Sequence, residues 1–345
     1  MRISINSAVP INYDQVGFGT AIGGIYKSLK SLGWQVETDS PSAPIQFNWM
    51  QPSLYQPRFN NTYNILFCPW ESTELRSGWL DKFNHNTVDE VWTTSSWCEK
   101  IFQDAGVEKP IRVFPHGIDH MWKPKRRTEI FNSSGRQVRP IKYLIVDAEA
   151  NRKGWQEAFN GFYNTFGNNQ RQARLTIKTR QMNLIRWRDQ GGMNHSPNVH
   201  PNVKIEIGKW SVEDMVKLYQ NHDVFLGPSY GEGFGFLPFQ MLATGGLAIV
   251  TEEWCEYRDF LGDFALRSRY AETKWQGEHP GKMCHPDQEH LEELILKSYQ
   301  EFDNNIPEAF KNAWKLHEDY DWLALTEDAF EGLEHRALAK FDTLK

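Results

Sequence analysis

Ser229-Tyr-Gly-Glu-Gly-Phe-Gly-Phe-Leu-Pro-Phe-Gln240, continued by Met241-Leu-Ala-Thr-Gly-Gly-Leu-Ala-Ile-Val250, decides how this chain folds. Asp223 to Leu226, just upstream, reads as a buried strand, and Leu247 to Val250 as a second apolar strand. Between them lie a turn with three glycines and a short helix opening near Phe236. Gly231, Gly233 and Gly235 let backbone N–H groups approach a ligand without interference from a Cβ. The positive end of the helix then points at an anion, and one carboxylate, Glu232, sits inside the turn. This is the outline of a nucleotide-phosphate or nucleotide-sugar pocket. A strand-to-helix turn that binds nothing has the same outline, because short glycine motifs also match by chance.

The same alternation runs outward in both directions. Ile3 to Ala8 reads as a first strand, followed by a loop with Gly17-Phe-Gly19 and a helix from about Thr20 to Leu32. Gly33 stops that helix, and Trp34-Gln-Val36 starts the next strand. Asn64 to Cys68, Val88 to Thr93 and Ile111 to Phe114 are further strands, with a helix from Ser95 through Phe102. From about Trp122 to Arg139 the pattern lapses into Lys, Arg, Ser, Gly and Pro, the composition of a linker, and Lys125-Arg126-Arg127 reads as its solvated face. A second alternating unit begins at Ile141 to Val146, continues through helices near 154–167 and 211–221, and ends with the glycine motif. Gln190 to Asn202 reads as a surface loop, and the tail from about Ile306 is helical. Strands alternating with helices predict α/β architecture with parallel, doubly wound sheets.

At 345 residues the chain has room for about two domains, each large enough for its own core. A net charge of −6 gives no overall footprint for nucleic acid, although a local basic face is compatible with it. Any exposed ones among the 14 Trp residues would stack on sugar rings, but most are expected to pack in cores or at a domain interface. Cys68, Cys98, Cys255 and Cys284 form no C-x-x-C pair, so neither a disulfide framework nor a zinc site is signalled. The first residues, Met-Arg-Ile-Ser-Ile-Asn, alternate like a strand and lack the apolar core of a signal peptide. No apolar run reaches the ~18 residues of a membrane span. The expectation is a reduced, cytoplasmic compartment, the host cytoplasm if the chain is virus-encoded.

Glu232 and Gln240 have seven residues between them, in the setting P-S-x-x-E-G-F-G-x-x-P. This resembles the Glu-x7-Glu motif of retaining GT-B glycosyltransferases of the GT4 type, with Gln in place of the second Glu. Other segments fit that family in order. Val113-Phe-Pro-His-Gly-Ile-Asp119 resembles the segment closing the N-terminal domain. Ala150-Asn-Arg-Lys-Gly154 with Glu157-Ala-Phe159 resembles its basic phosphate-binding motif. Leu175 to Thr179 and Asp223 to Ser229 resemble strands of the second domain. The likeness is weakest over 35–65 and 185–200. It implies two Rossmann-like domains facing a cleft: an acceptor-side domain over 1–121, a linker over 122–140, a nucleotide-sugar-binding domain over 141–320, and a helix over 321–345 crossing back to the first domain. It implies ligands at the carboxyl ends of the strands.

Transfer from a nucleotide sugar requires neutralised charge on the leaving diphosphate, a gripped donor and an acceptor hydroxyl that loses its proton. Lys153 is the expected phosphate contact and Arg152 its partner, although the family carries its Arg in a Gly-Arg pair that is absent here. Lys178 and Arg180 are alternatives whose simpler reading is surface charge. Glu232 is expected to grip or position the donor sugar, an ionised carboxylate being a pure acceptor. Gln240 falls where the family binds the ribose hydroxyls, its amide accepting one bond without charge assistance. Phe234, Gly235 and Phe236 offer backbone N–H groups to the diphosphate, and Gly17 and Gly19 bring the first domain's backbone close to it. Glu71, in Cys-Pro-Trp-Glu-Ser-Thr-Glu, is the candidate for acceptor or sugar contact. Its bland alternative is a helix N-terminal carboxylate. His116 is kept as an acid–base candidate beside a structural role. The implied donor is UDP- or GDP-linked, with no further cofactor and no metal. The acceptor is a glycan, a small molecule or a hydroxymethylated DNA base, and a degenerate nucleotide-sugar-binding protein is the non-enzymatic rival.

Overall fold

The two alternating strand–helix units resolve into two parallel six-stranded sheets, one in each of two units. The structure is a computed structural model that describes residues 1–11, 17–56, 62–147, 151–180, 187–188, 194–195, 200–254, 257–273 and 279–343. The first unit comprises Met1–Asp119, Glu272–Met283 and Tyr320–Lys345; the second comprises His120–Ala271 and Cys284–Asp319.

In chain order the first unit opens with β1 (Arg2–Ser7), α1 (Phe18–Ser31), β2 (Gln35–Thr38), β3 (Ile45–Trp49) and β4 (Tyr63–Phe67). It continues with α2 (Trp79–Phe83), β5 (Glu90–Thr93), α3 (Ser96–Asp104) and β6 (Ile111–Val113). The second unit carries β7 (Ile141–Val146), α4 (Trp155–Phe166), β8 (Ala173–Thr179), the two-residue pair β9 (Trp187–Arg188) and β10 (Asn194–His195), and β11 (Val203–Ile207). Then come α5 (Val212–Gln220), β12 (Val224–Gly227), α6 (Phe236–Ala243), β13 (Leu247–Thr251), α7 (Arg258–Leu261) and β14 (Ala265–Leu266). The chain ends with β15 (Ser268–Glu272), β16 (Lys282–Pro286), α8 (Gln288–Gln300), α9 (Phe302–Asp319), α10 (Trp322–Phe330) and α11 (Leu333–Thr343).

The first sheet runs β2-β1-β3-β4-β5-β6, every pair parallel. Its core is aromatic: Phe47 stands 5.7 Å from both Phe67 and Trp92, and Phe330 of α10 reaches within 5.0 Å of Trp92. The terminal α11 is fastened to the same sheet by ion pairs, Arg336 to buried Glu90 at 2.6 Å and Lys340 to Asp89 at 2.7 Å. Strand β3 is one that local pattern hides. Its Gln46 and Asn48 are buried and both accept from the Asn6 side-chain amide, at 2.8 and 3.0 Å, so polar residues occupy a central strand without an unmet hydrogen bond.

The second sheet runs β11-β8-β7-β12-β13-β14, also parallel. The order reverses between β7 and β12, the point where a doubly wound sheet opens a crevice at the carboxyl ends of its strands. Apolar residues of these strands, with Phe159 and Phe162 of α4 and Leu291, Leu294 and Ile295 of α8, fill its core.

Two expectations are corrected here. Residues 122–139 group with the second unit, and Lys125 and Arg126 are exposed as expected, but Arg127 is not solvated. Arg127 is buried there, donating to the carbonyls of His222 at 2.8 Å, Tyr219 at 2.9 Å and Thr244 at 2.6 Å, so ends of secondary structure, rather than water, satisfy its guanidinium. Lys178 is not a surface charge either: it is buried, its ammonium donating to the carbonyls of Thr179 and Gly208 and lying 5.1 Å from the Trp210 ring. Arg180 is exposed. Cys68, Cys98 and Cys284 are free and buried; Cys255 and most of the 190–202 loop lie outside the described residues.

Candidate functional site

The switch point of the second sheet gathers the turns that follow β7 and β12. The turn after β7 ends at Gly154, which caps α4 with φ of 66°. A Cβ there would lie 2.0 Å from the Pro228 carbonyl oxygen, so only glycine lets the two turns meet. Hydrogen bonds stitch them: Tyr230 N–H donates to the Arg152 carbonyl at 2.8 Å and Ser229 Oγ to the same oxygen at 3.1 Å. Tyr230 also donates its hydroxyl to Glu157, and Thr251 Oγ1 ties β13 to the Ser229 carbonyl at 2.7 Å.

Lys153 and Glu232 come together as a result. Lys153 Nζ lies 2.7 and 2.8 Å from the two Glu232 oxygens, and the Arg152 guanidinium lies 3.5 Å from one of them while donating to the Gly231 carbonyl. The Glu232 side chain is 12 % exposed. Burial alone would push its carboxyl up, but Lys153 and Arg152 outweigh that and hold it below the usual carboxylate range. Beside the pair is a pocket lined by Val146, Gly227, Ser229, Leu237, Pro238, Thr251, Trp254 and Tyr257.

Gly235 caps α6 with φ of 92° and accepts from the Tyr257 hydroxyl at 3.2 Å. Phe236 is the first residue of α6, so the helix N-terminus faces the Glu232 turn. Phe234 is buried with its ring 5.0 Å from Phe239 and 6.3 Å from Tyr257. Gln240 is buried in α6; it does not line the pocket, and among the described residues its side-chain amide makes no hydrogen bond. Lys178, engaged with carbonyls at the far side of β8, is not part of the cluster.

The remaining candidates lie in the first unit. Gly17 caps α1 with φ of 81°, and among the described residues nothing lies within 4 Å of the place of its missing Cβ. Gly19 lies in the first turn of α1. Glu71 follows β4 but does not start a helix, so the helix-terminal reading fails: α2 begins only at Trp79. Its carboxylate faces His279 Nε2 at 3.4 Å, and the imidazole stacks on Trp70 at 5.2 Å. His279 arrives on the excursion Glu272–Met283, latched by Thr73 N–H to the Lys282 carbonyl at 3.0 Å and Lys282 N–H to Thr73 Oγ1 at 2.7 Å. Nothing local in the sequence signals this pairing across some two hundred residues. His116 is buried among Trp49, Phe67 and Trp322, and burial pushes its imidazole down to about 3. Burial among these rings favours the neutral imidazole at pH 7. Asp147, which follows β7, holds φ of 58°, a conformation that glycine adopts more readily.

Two units in one chain, each built on a parallel six-stranded sheet, give the chain the GT-B fold seen in solved glycosyltransferases. Solved structures similar to this chain include the sucrose-phosphate synthase of Thermosynechococcus elongatus, at TM-score 0.65 and 13% identity with 98% of each chain covered. Another is Anabaena HepE in complex with UDP, at TM-score 0.64 and 13% identity, covering 97% of this chain and 99% of that one. A third is the catalytic domain of starch synthase IV from Arabidopsis thaliana bound to ADP and acarbose, at TM-score 0.61 and 12% identity, covering 98% and 99%. No family model and no curated protein sequence matches the chain. Among the described residues, no helix is long and apolar enough to cross a membrane.

Proposed function

We propose that this chain is a retaining glycosyltransferase that moves a hexosyl or pentosyl group from a nucleotide-diphosphate sugar to a hydroxyl acceptor without a metal. The observation that supports this most is the meeting of Lys153 and Glu232 at the switch point. A half-buried ammonium spanning a carboxylate is a preformed site for exchange of partners. Donor phosphate oxygens take over Lys153 and Arg152, and the freed Glu232 carboxylate accepts hydroxyls of the donor sugar. The N-terminus of α6 adds its positive end to the diphosphate, so charge developing on the leaving group meets groups already oriented. The Gln240 amide accepts from the ribose.

In the reaction the acceptor oxygen forms a bond to the anomeric carbon on the face from which the diphosphate oxygen departs. The hydroxyl proton passes to that departing oxygen. Glu71 is the acceptor-side contact. UDP and ADP in two of the similar structures fit a nucleoside diphosphate leaving group. Release of nucleoside diphosphate from UDP-, GDP-, ADP- and CDP-sugars, with and without EDTA, tests the reading. One responsive donor, indifferent to EDTA and with an anomerically retained product by NMR, is expected. No release from any donor would leave a nucleotide-binding protein, and loss in EDTA would overturn metal independence.

A further inference from the structure

Strand β11 closes one side of the second sheet, and among the described residues it pairs only with β8. Leu175 N–H donates to the Asn202 carbonyl at 2.9 Å and Gly208 N–H to the Thr179 carbonyl at 3.0 Å, so residues 202 and 208 turn their backbone groups toward β8. Backbone groups alternate in direction along a strand. Lys204 and Glu206 therefore also spend theirs on β8, whereas Ile205 and Ile207 present N–H and C=O outward. The Val203 N–H is taken by the His200 carbonyl at 3.1 Å, which leaves its C=O outward. An open edge of this kind is a template for another strand.

The residues on that edge specify which strand. Val203-Lys-Ile-Glu-Ile207 is self-complementary when reversed: apolar ends, an apolar centre, and Lys exchanging with Glu. Laid antiparallel on a second copy with Ile205 opposite Ile205, Val203 falls opposite Ile207 and Lys204 opposite Glu206. The outward backbone groups of Ile205 then form a hydrogen-bonded pair. The Lys–Glu pairs fall at non-hydrogen-bonded positions, where Cα atoms are ~4.5 Å apart and side chains are closest. The neighbouring registers that keep the same faces together set Lys204 against Lys204 or Glu206 against Glu206, and are disfavoured.

We propose that β11 is a self-recognition edge through which two copies of this chain join about a two-fold axis, the second unit's sheet continuing from one copy into the other. A two-fold contact uses the same patch on both partners, which this five-residue stretch satisfies. Lys204 is 72% exposed and already pairs with Glu206 in its own chain, so each ammonium would sit between its own carboxylate and the partner's. Ile207, 46% exposed, gains cover. Five residues a side bury far less than the ~1,600 Å² of a standard stable interface, so the dimer is reversible and concentration-dependent.

Sedimentation velocity of the intact chain over a concentration series tests this. The wild type is expected to shift from 40.3 kDa toward twice that mass as concentration rises. Lys204→Glu sets Glu against the partner's Glu206 twice by symmetry and should weaken association roughly ten-fold or more. Glu206→Lys should do the same, and the double exchange K204E/E206K should restore it. Circular dichroism of each variant checks that the fold is retained. A wild type that stays monomeric throughout would overturn the proposal. So would single variants that associate like the wild type, or a double variant as weak as the singles.

Discussion

Lys153 Nζ lies within 2.8 Å of both oxygens of Glu232, joining the turns after β7 and β12 across 79 residues of sequence. Neither partner is left in water, and each is the other's main source of charge compensation. Removing one member therefore affects both the free protein and its ligand. The variants separate those effects.

Lys153→Ala should weaken binding of UDP or ADP more than that of the matching nucleoside. A lost charge-assisted contact is worth ~1.5–3 kcal/mol, roughly ten- to a hundred-fold in affinity. Titration calorimetry with diphosphate and nucleoside makes the comparison, and equal losses would remove Lys153 from the phosphate site. Glu232→Gln should instead tighten binding of the free diphosphate, because the anion no longer competes with an internal carboxylate.

Gly154→Ala probes the approach of the two turns. A Cβ 2.0 Å from the Pro228 carbonyl oxygen, at φ of 66°, forces them apart. The substitution should cost more than ~1 kcal/mol of stability and lower diphosphate affinity as well. Thermal melting and calorimetry on the same sample read both; an unchanged Tm would mean that the turns part without strain.

Gln240→Glu restores the carboxylate that the resembling family carries at this place. The site is buried and offers no described hydrogen-bond partner, so the free protein should lose stability. A ribose-bearing ligand supplies the missing donors, so the variant should gain more Tm than the wild type on adding donor. A smaller gain would place the ribose elsewhere.

Acid should destabilise the first unit through His116. Its folded value is about 3 against an ordinary 6.5, so between those two the unfolded chain binds a proton that the folded one refuses. Stability from this group is full above about 6.5, and falls by up to ~1.4 kcal/mol per pH unit below it. His116→Phe should flatten the fall of Tm between pH 7 and pH 5. Glu232 acts at lower pH: its depressed carboxyl keeps the pair intact through the usual carboxylate range, and the contribution is lost only below it.

Much of the second unit is legible in the sequence because its signals are local. Glycines, a carboxylate and apolar runs lie within one strand–turn–helix–strand segment, and β12, α6 and β13 fall where they predict. Elements held by distant partners are not legible. Strand β3 reads as half-polar because Asn6 satisfies its Gln46 and Asn48 from another strand. Arg127 reads as solvated because its carbonyl partners come from residues 219–244. His279 stands beside Glu71 only because residues 272–283 join the first unit. Seven residues of spacing likewise do not reveal that Gln240 is buried outside the pocket lining.

The central claim is that Glu232 acts on the donor sugar, and the rate of nucleoside diphosphate release by Glu232→Gln, measured with one responsive nucleotide sugar and its acceptor, tests it most directly. The account predicts a fall of ~10²-fold or more, with the circular dichroism spectrum retained and free diphosphate bound at least as tightly as by the wild type. Unchanged release by a folded variant would contradict it, leaving the Lys153–Glu232 pair as a device that holds two turns together.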